Sequence, residues 1–342
     1  MTPDILTLAS EMYACIIIFL IFDCNQLEME KLALSKLLNI EHPIIMAPMF
    51  LVSNEEMLLA GTENGIAASI PALNYRSTDL LREGLKRIKA SAQGPIGINL
   101  IVNASNVYME EQLKICVEEG VDFFITSLGS PKKVIDASRD KGIKVFCDVT
   151  DLEYARKVEQ LGADAVIAVN NRAGGHAGKI DPKTLIRSMK EVLSIPVISA
   201  GGVGVRAEMD ELIEAGADGF SIGSVFIASD EAGVSKEYKQ ACVDFGAKDI
   251  VMTSKLSGTP CTVINTPYVR EIGTEQSGLE RFLNRNRRLK KWAKAMTFYR
   301  GMKSLEKAAF SATYKTVWCA GPSIEHVKTI RPVKEIIENL IK

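Results

Sequence analysis

Residues Ile143–Val169 read IKVFCDVTDLEYARKVEQLGADAVIAV. An apolar, β-branched run (Ile143–Val149) leads through Asp151 into a stretch, Leu152–Leu161, whose apolar positions recur at helical spacing; Gly162 and a second apolar run, Ala165–Val169, follow. A glycine just past a helix accepts the left-handed conformation that ends it. Strands that are apolar almost without interruption are buried on both faces, the condition of a parallel sheet covered by helices. The stretch is one strand–helix–strand unit.

The unit repeats in both directions. Further strand-like runs are Pro43–Pro48, Ile66–Ile70, Ile96–Val102, Phe123–Thr126, Pro196–Ala200 and Gly219–Gly223. Helical patterns lie between them at Thr78–Ala92, Val107–Glu119 and Pro182–Leu193, and Gly120, Gly142 and Gly216 stand where helices should end. Asp181 before Pro182 is an N-cap followed by proline at the first helical position. Eight such runs predict an α/β fold, a (β/α)8 TIM barrel, with all eight units inside residues 42–228. A doubly wound open sheet is the alternative, but it rarely carries eight unbroken parallel units. Beyond residue 228 the rhythm stops. A turn-rich segment, Ser257–Gly273, precedes helical, basic sequence. Residues 229–304 are read as a smaller, mostly helical second domain or lid, and 305–342 as a return to the barrel through a last helix near Val333–Ile341.

At the other end, Ala14–Phe22 is an apolar run far short of the ~20 residues that span a bilayer. No Lys or Arg precedes Lys31, so a signal peptide's positive region is missing. The folded part is expected to begin near Met29, with residues 1–28 an extension outside the core and the barrel occupying 29–228 and 305–342.

Hydrophobic residues at 47% and charged residues at 24% exclude a disordered or fibrous chain. Lys plus Arg is 41 against 42 for Asp plus Glu, so no overall field recruits nucleic acid or an anionic membrane. Seven cysteines without a Cys-x-x-Cys pair argue against a disulfide framework or a zinc site and for a cytoplasmic chain.

In a barrel of this kind the chemistry sits at the carboxyl ends of the strands. There the sequence places Ala47-Pro48-Met49, Asn99, Thr126-Ser127, Asp148, Ala173-Gly174-Gly175-His176-Ala177-Gly178, Gly201-Gly202-Val203-Gly204 and Ser221-Ile222-Gly223-Ser224. Glycines after the last two strands let backbone N–H groups approach a phosphate, which a side chain would block. His176 is one of three histidines, is flanked by glycines, and carries the side chain best suited to proton transfer near neutral pH. His42 lies at the opposite barrel end, and His326 has no evident constellation around it; both read as structural.

The set PIIMAPM, GINL, AGGHAG, PVISAGGVG and GFSIGS, in this order, resembles the nitronate monooxygenase family, formerly 2-nitropropane dioxygenases, and its relatives the flavin-dependent enoyl-acyl-carrier-protein reductases. The resemblance runs from His42 into the C-terminal region, including Ser254–Arg270 and Ala320-Gly321. It implies an FMN-bearing barrel with a smaller substrate domain. Ala47, Pro48 and Met49 would lie along the isoalloxazine, and Asn99 would hydrogen-bond it. Gly174 and Gly175 would line the cofactor; Gly201, Gly202, Ser221, Ile222, Gly223 and Ser224 would hold its phosphate. His176 would be the catalytic residue facing flavin and substrate. The implied reaction is oxidation of an alkyl nitronate by dioxygen to a carbonyl compound and nitrite, with no metal, no nucleic acid, no membrane, and a homodimer as the open oligomeric expectation. Two departures stand out: many members carry Gln-Gly-x-Glu where this chain has Val169-Asn170-Asn171-Arg172, and Arg or Pro where it has Ala177.

Other readings stay open. An NAD(P)H-dependent FMN reductase of an enoyl thioester or quinone is the nearest. The basic run Arg281, Arg285, Arg287, Arg288, Lys290, Lys291 and Lys294 would suit a carrier-protein partner, although it reads more simply as a solvated face. A non-redox phosphate-binding barrel enzyme is the second alternative.

Overall fold

The computed structural model describes residues 32–104, 106–253, 260–275 and 317–342. The 1–28 extension, the basic run at 281–294 and much of the 229–304 segment lie outside the described residues.

The strands are β1 (Ile44–Met46), β2 (Ala67–Pro71), β3 (Ile96–Ile101), β4 (Phe123–Ser127), β5 (Lys144–Val149), β6 (Ala165–Val169), β7 (Gly175–His176), β8 (Val197–Ala200), β9 (Gly219–Ile222), β10 (Ile250–Thr253) and β11 (Cys261–Ile264). The parallel strands β1–β6, β8 and β9 form a closed eight-stranded barrel, sealed where β9 pairs with β1. The sequence runs therefore match the barrel strands, shifted by a residue or two at their ends.

The helices are α1 (Ala33–Leu38), α2 (Glu55–Glu63), α3 (Thr78–Ser91), α4 (Met109–Glu118), α5 (Lys132–Ser138), α6 (Leu152–Leu161), α7 (Pro182–Lys190), α8 (Arg206–Glu214), α9 (Lys236–Asp244), α10 (Pro267–Ile272) and α11 (Val333–Ile341). Their ends follow local chemistry. Asp151 accepts from Tyr154 N–H to cap α6, and Gly162, at φ 97°, ends it. Asp181 accepts from Lys183 and Thr184 N–H ahead of Pro182.

The eighth unit differs from its expected form. Residues 42–228 supply eight strands but no eighth α-helix, because the chain after β9 makes only a 3-10 turn, Ser224–Ala228. The vacant arc between α8 and α2 is filled by α11. Val333 N–H is capped by Glu231 at 3.0 Å, and the Arg206 guanidinium donates to Ile341 O at 3.0 Å.

The described part of the second segment holds α9, α10 and a small sheet. β10, β11 and β7 form an antiparallel sheet, with Cys261 opposite His176 and Thr262 opposite Gly175. Within the turn-rich stretch Ser257–Gly273 lie β11 and α10, the latter capped by Thr266 accepting from Val269 N–H.

Period-two alternation divides the barrel residues into two cores. Ile44, Met46, Ile96, Ile98 and Leu100 face the helices. Ile45, Phe123, Ile125, Phe146, Ile167 and Ile198 fill the interior, where Leu34 and Leu38 of α1 plug the amino-terminal end. Phe123 and Phe146 pack with ring centroids 5.4 Å apart. Their space is made by Gly97, where a Cβ would fall 2.2 Å from the Phe123 ring. Gly97→Ala overpacks this layer and should destabilise the fold by about 1–3 kcal/mol, read as a lower midpoint of urea unfolding. Adding Phe123→Leu should recover part of the loss. A parental midpoint for Gly97→Ala would contradict this account of the interior.

Candidate active site

Parallel closure brings every strand's carboxyl end to one rim. That rim opens into a cavity of about 890 Å³, whose wall includes every residue to which the resemblance gave a role: Ala47, Pro48, Met49, Asn99, Gly174, Gly175, His176, Gly201, Gly202, Ser221, Ile222, Gly223 and Ser224; of the other strand-end residues, Thr126 and Gly204 do not line it.

On the β8–β9 side, Gly201 and Gly202 have φ of 112° and 79°, a region side chains rarely tolerate. A Cβ on Gly201 would lie 2.4 Å from Ala173 N and 2.5 Å from Asn170 Oδ1. No acceptor among the described residues takes the backbone N–H of Gly202, Val203, Gly223 or Ser224, and all four residues line the cavity. Open N–H groups in a glycine-walled concavity are what a phosphate needs. The Ser224 hydroxyl accepts from Gly321 N–H at 2.8 Å, so its own proton remains available for donation. Gly174 sits so close that a Cβ there would meet Ser224 Oγ at 2.6 Å.

Asn170, in the segment where the chain departs from its family pattern, ties this cradle to the loop after β6. Its Nδ2 donates to Gly201 O at 3.0 Å, and its Oδ1 accepts from Arg172 N–H at 2.8 Å. Arg172 runs against Gly202 and donates to Glu208 Oε1 at 3.4 Å. His326 does have a constellation, contrary to its sequence reading: its Nε2 lies 3.3 Å from the same Glu208 oxygen, while Glu208 Oε2 accepts from Gly204 N–H at 2.7 Å. The contact joins segments far apart in sequence, which is why no local pattern revealed it.

His176 is not in a free loop. It is half of β7, held against Cys261 of β11, with Thr262 Oγ1 donating to Ala173 O at 2.6 Å just behind it. The imidazole opens onto the cavity, yet the surrounding protein strips away water and holds its pKa below the ordinary histidine range.

The opposite wall is the topmost interior layer of the barrel. Continuing the alternation of Gly97, Phe123 and Phe146, the inward positions become polar: Asn99, Ser127 and Asp148 on β3, β4 and β5. Asn99 Nδ2 donates to Ile125 O at 3.1 Å and to Ser127 Oγ at 2.7 Å, and Ser127 donates to Asp148 Oδ2 at 2.6 Å. This leaves Asn99 Oδ1 for a ligand. Burial pushes the Asp148 carboxyl up to about 6, against the lowering effect of the Ser127 hydrogen bond. Asp148 and Ser127 were visible as strand ends but not as site residues, because their joint role depends on strand register.

The β1 loop is pinned in an uncommon shape. Leu51 has φ 59°, its N–H donates to Asn74 Oδ1 at 3.0 Å, and Asn74 Nδ2 donates to Ser53 O at 2.7 Å. Met49 N–H donates to Ser53 Oγ at 2.9 Å, which sets Ala47–Met49 along the cavity. Non-glycine residues held at positive φ gather at functional sites. Among the described residues no group of His, Cys, Asp and Glu is arranged to hold a metal, and no helix is long and apolar enough to cross a membrane.

The profile of the nitronate monooxygenase family matches residues 31–342. The chain belongs to the nitronate monooxygenase family. It is 29% identical, over 80% of its length and 75% of the relative's, to the (3aS,4S,5R,7aS)-5-hydroxy-7a-methyl-1-oxo-octahydro-1H-indene-4-carboxyl-CoA dehydrogenase of Rhodococcus jostii. It is 26% identical, over 69% of its length and 79% of the relative's, to a probable nitronate monooxygenase of Staphylococcus saprophyticus. FabK from Thermotoga maritima superposes with a TM-score of 0.79 at 29% identity, over 91% of this chain and 95% of that one. Nitroalkane oxidase from Streptomyces ansochromogenes shares the fold, with a TM-score of 0.71 at 24% identity over 90% of this chain and 96% of that one. The chain is an FMN-dependent oxidoreductase of this family.

The open N–H groups and the glycine cradle fit the FMN phosphate. Purified protein, or apoprotein given FMN, should be yellow. Gly201→Ala should weaken FMN binding at least ~10-fold, measured by flavin fluorescence quenching, with far-ultraviolet dichroism unchanged, since a charge-assisted contact set is lost. Parental affinity in Gly201→Ala would show that the phosphate is held elsewhere.

Proposed function

We propose that the chain oxidises alkyl nitronates with dioxygen, releasing a carbonyl compound and nitrite. FMN, when bound, supplies the electron-transfer chemistry. The residues that would hold it are Gly201, Gly202, Ser221, Ile222, Gly223 and Ser224 at the phosphate, Gly174 and Gly175 along its edge, Asn99 through Oδ1, and Ala47, Pro48 and Met49 against the ring.

The observation that carries the reading is His176. It sits on a two-residue strand, so its backbone is fixed by β11 rather than left to a loop. Desolvation by the surrounding protein lowers its pKa below the ordinary histidine value, which favours the neutral imidazole. A neutral imidazole can take the α-proton of a nitroalkane, or, with its ring N–H, orient a nitronate oxygen. The sign follows from the shift: the base form appears as pH rises through a value below the usual histidine pKa of ~6.5, so the acid limb of kcat/KM on a neutral nitroalkane should fall below that value.

A second reading is favoured by one comparison, the relative that acts on a CoA thioester. In it the same site exchanges hydride with NAD(P)H and an enoyl thioester. Nitrite release from a nitronate, set beside NADPH consumption with a short enoyl thioester, separates the two. The assignment of residues 229–304 as a substrate or lid domain belongs to this proposal.

His176→Ala should keep FMN, because the phosphate cradle lies on β8 and β9. It should lose turnover by roughly 10²–10⁴-fold on a neutral nitroalkane. The loss on pre-formed nitronate should be smaller, since no proton must be removed. Equal activity of variant and parent on both substrates would remove His176 from the chemistry.

A further inference from the structure

Two thiols meet in the cavity wall beside His176. Cys261 opens β11 and pairs across the sheet with His176. Cys319 lies on the segment next to β11, where Ile264 N–H donates to Trp318 O at 2.9 Å and the Tyr238 hydroxyl donates to Cys319 O at 2.5 Å. Both backbones are therefore fixed. The two side chains share a small apolar cluster with Val263 and Val317, both line the cavity, and neither is in a disulfide. Their sulfurs are in hydrogen-bonding contact, Cys319 donating to Cys261. The remaining described cysteines, Cys116, Cys147 and Cys242, are buried and do not line the cavity.

We propose that Cys261 and Cys319 are a redox-active dithiol, which a small hydroperoxide entering the cavity oxidises to an intrachain disulfide. The inference gives a role to two sulfurs that neither the FMN site nor the chemistry of His176 uses, and it is independent of which substrate the flavin oxidises.

A thiolate, not a thiol, attacks a peroxide. The S–H of Cys319 stabilises charge on Cys261 and holds that thiol below the ordinary cysteine range, while Cys319 itself is pushed up. Burial pushes Cys116, Cys147 and Cys242 up, so they stay protonated and inert. Cys261 attacks one oxygen of hydrogen peroxide, the O–O bond breaks, and the departing hydroxide leaves as water with the proton Cys261 has lost. The Cys319 sulfur then attacks the Cys261 sulfenic acid, the S–S bond forms, the S–O bond breaks, and a second water leaves with the Cys319 proton. Two thiols give up two electrons and two protons, and one hydrogen peroxide becomes two waters. The new bond would tie β11, which holds His176, to the segment whose Gly321 N–H donates to Ser224 Oγ at 2.8 Å.

The test uses the FMN-loaded full chain, reduced, freed of reductant and given one equivalent of hydrogen peroxide. Free thiols are then alkylated in denaturant, and peptides are mapped by mass spectrometry without reduction. A Cys261–Cys319 linked peptide should form and be cleaved by dithiothreitol. Loss of these two thiols should be at least ~10-fold faster than loss of Cys116, Cys147 or Cys242. In Cys319→Ser the link should be absent, and Cys261 should be trapped by dimedone as the sulfenic acid. No Cys261–Cys319 link in the parent would overturn the proposal, as would oxidation of Cys147 or Cys242 at the same rate. The parent map decides the matter even if a variant fails to fold, and it reads a covalent bond rather than turnover. Failure of nitrite release from nitronates would therefore sink the nitronate reading and leave this one standing.

Discussion

The structure depends on the seam between β9 and β1. β1 contributes only three residues, yet it must bridge β2 and β9, and its pairing with β9 runs from Ile44–Phe220 to Met46–Ile222. The seam is extended at both ends by Phe220 N–H to Pro43 O at 2.9 Å and Ala47 N–H to Ile222 O at 2.8 Å. The second of these bonds sets Ala47, the first residue of the β1 loop, beside Gly223 on the cavity wall. An open sheet of the same strands would place these two ends at opposite edges. Closure is thus what converts loops scattered along the sequence into one cavity wall.

Inside the closed barrel the site arises by changing the chemistry of one layer. Phe123, Phe146 and Ile167 fill the lower interior without polar atoms. One pleat higher, Asn99, Ser127 and Asp148 stand on adjacent strands within hydrogen-bonding distance of one another. Because they satisfy one another, the polar layer is buried at little cost, and the residual acceptors face the cavity. Across that cavity, the β7–β11 pairing gives His176 a fixed backbone, and the backbone amides after β8 and β9 supply positive potential without a mobile side chain.

Much of this was legible in the residue order. Barrel strands announce themselves as apolar runs because both faces are buried, and Val333–Ile341 was readable as a helix from its spacing alone. The features that escaped are those that need long-range partners. β7 is two residues beside glycine, with no strand signature of its own, and exists only because Cys261 and Thr262 arrive from the second segment. The missing eighth helix could not be seen, because 3-10 residues after β9 are as apolar as a helix would be. Likewise His326 looked isolated until Glu208 was placed beside it, and Asp148 looked like a strand end until the register put Ser127 next to it. Asn170 and Arg172, where the family pattern breaks, turned out to bind the β6 loop to the phosphate cradle.

The cavity over the barrel is proposed to hold FMN with its phosphate on the open backbone amides after β8 and β9. The most direct measurement is a crystal structure of the protein bound to FMN. Phosphate oxygens are expected within hydrogen-bonding distance of the N–H groups of Gly202 and Ser224, and the isoalloxazine between the Ala47–Met49 loop and His176. A phosphate seated away from these amides, or a flavin bound outside the cavity, would contradict it.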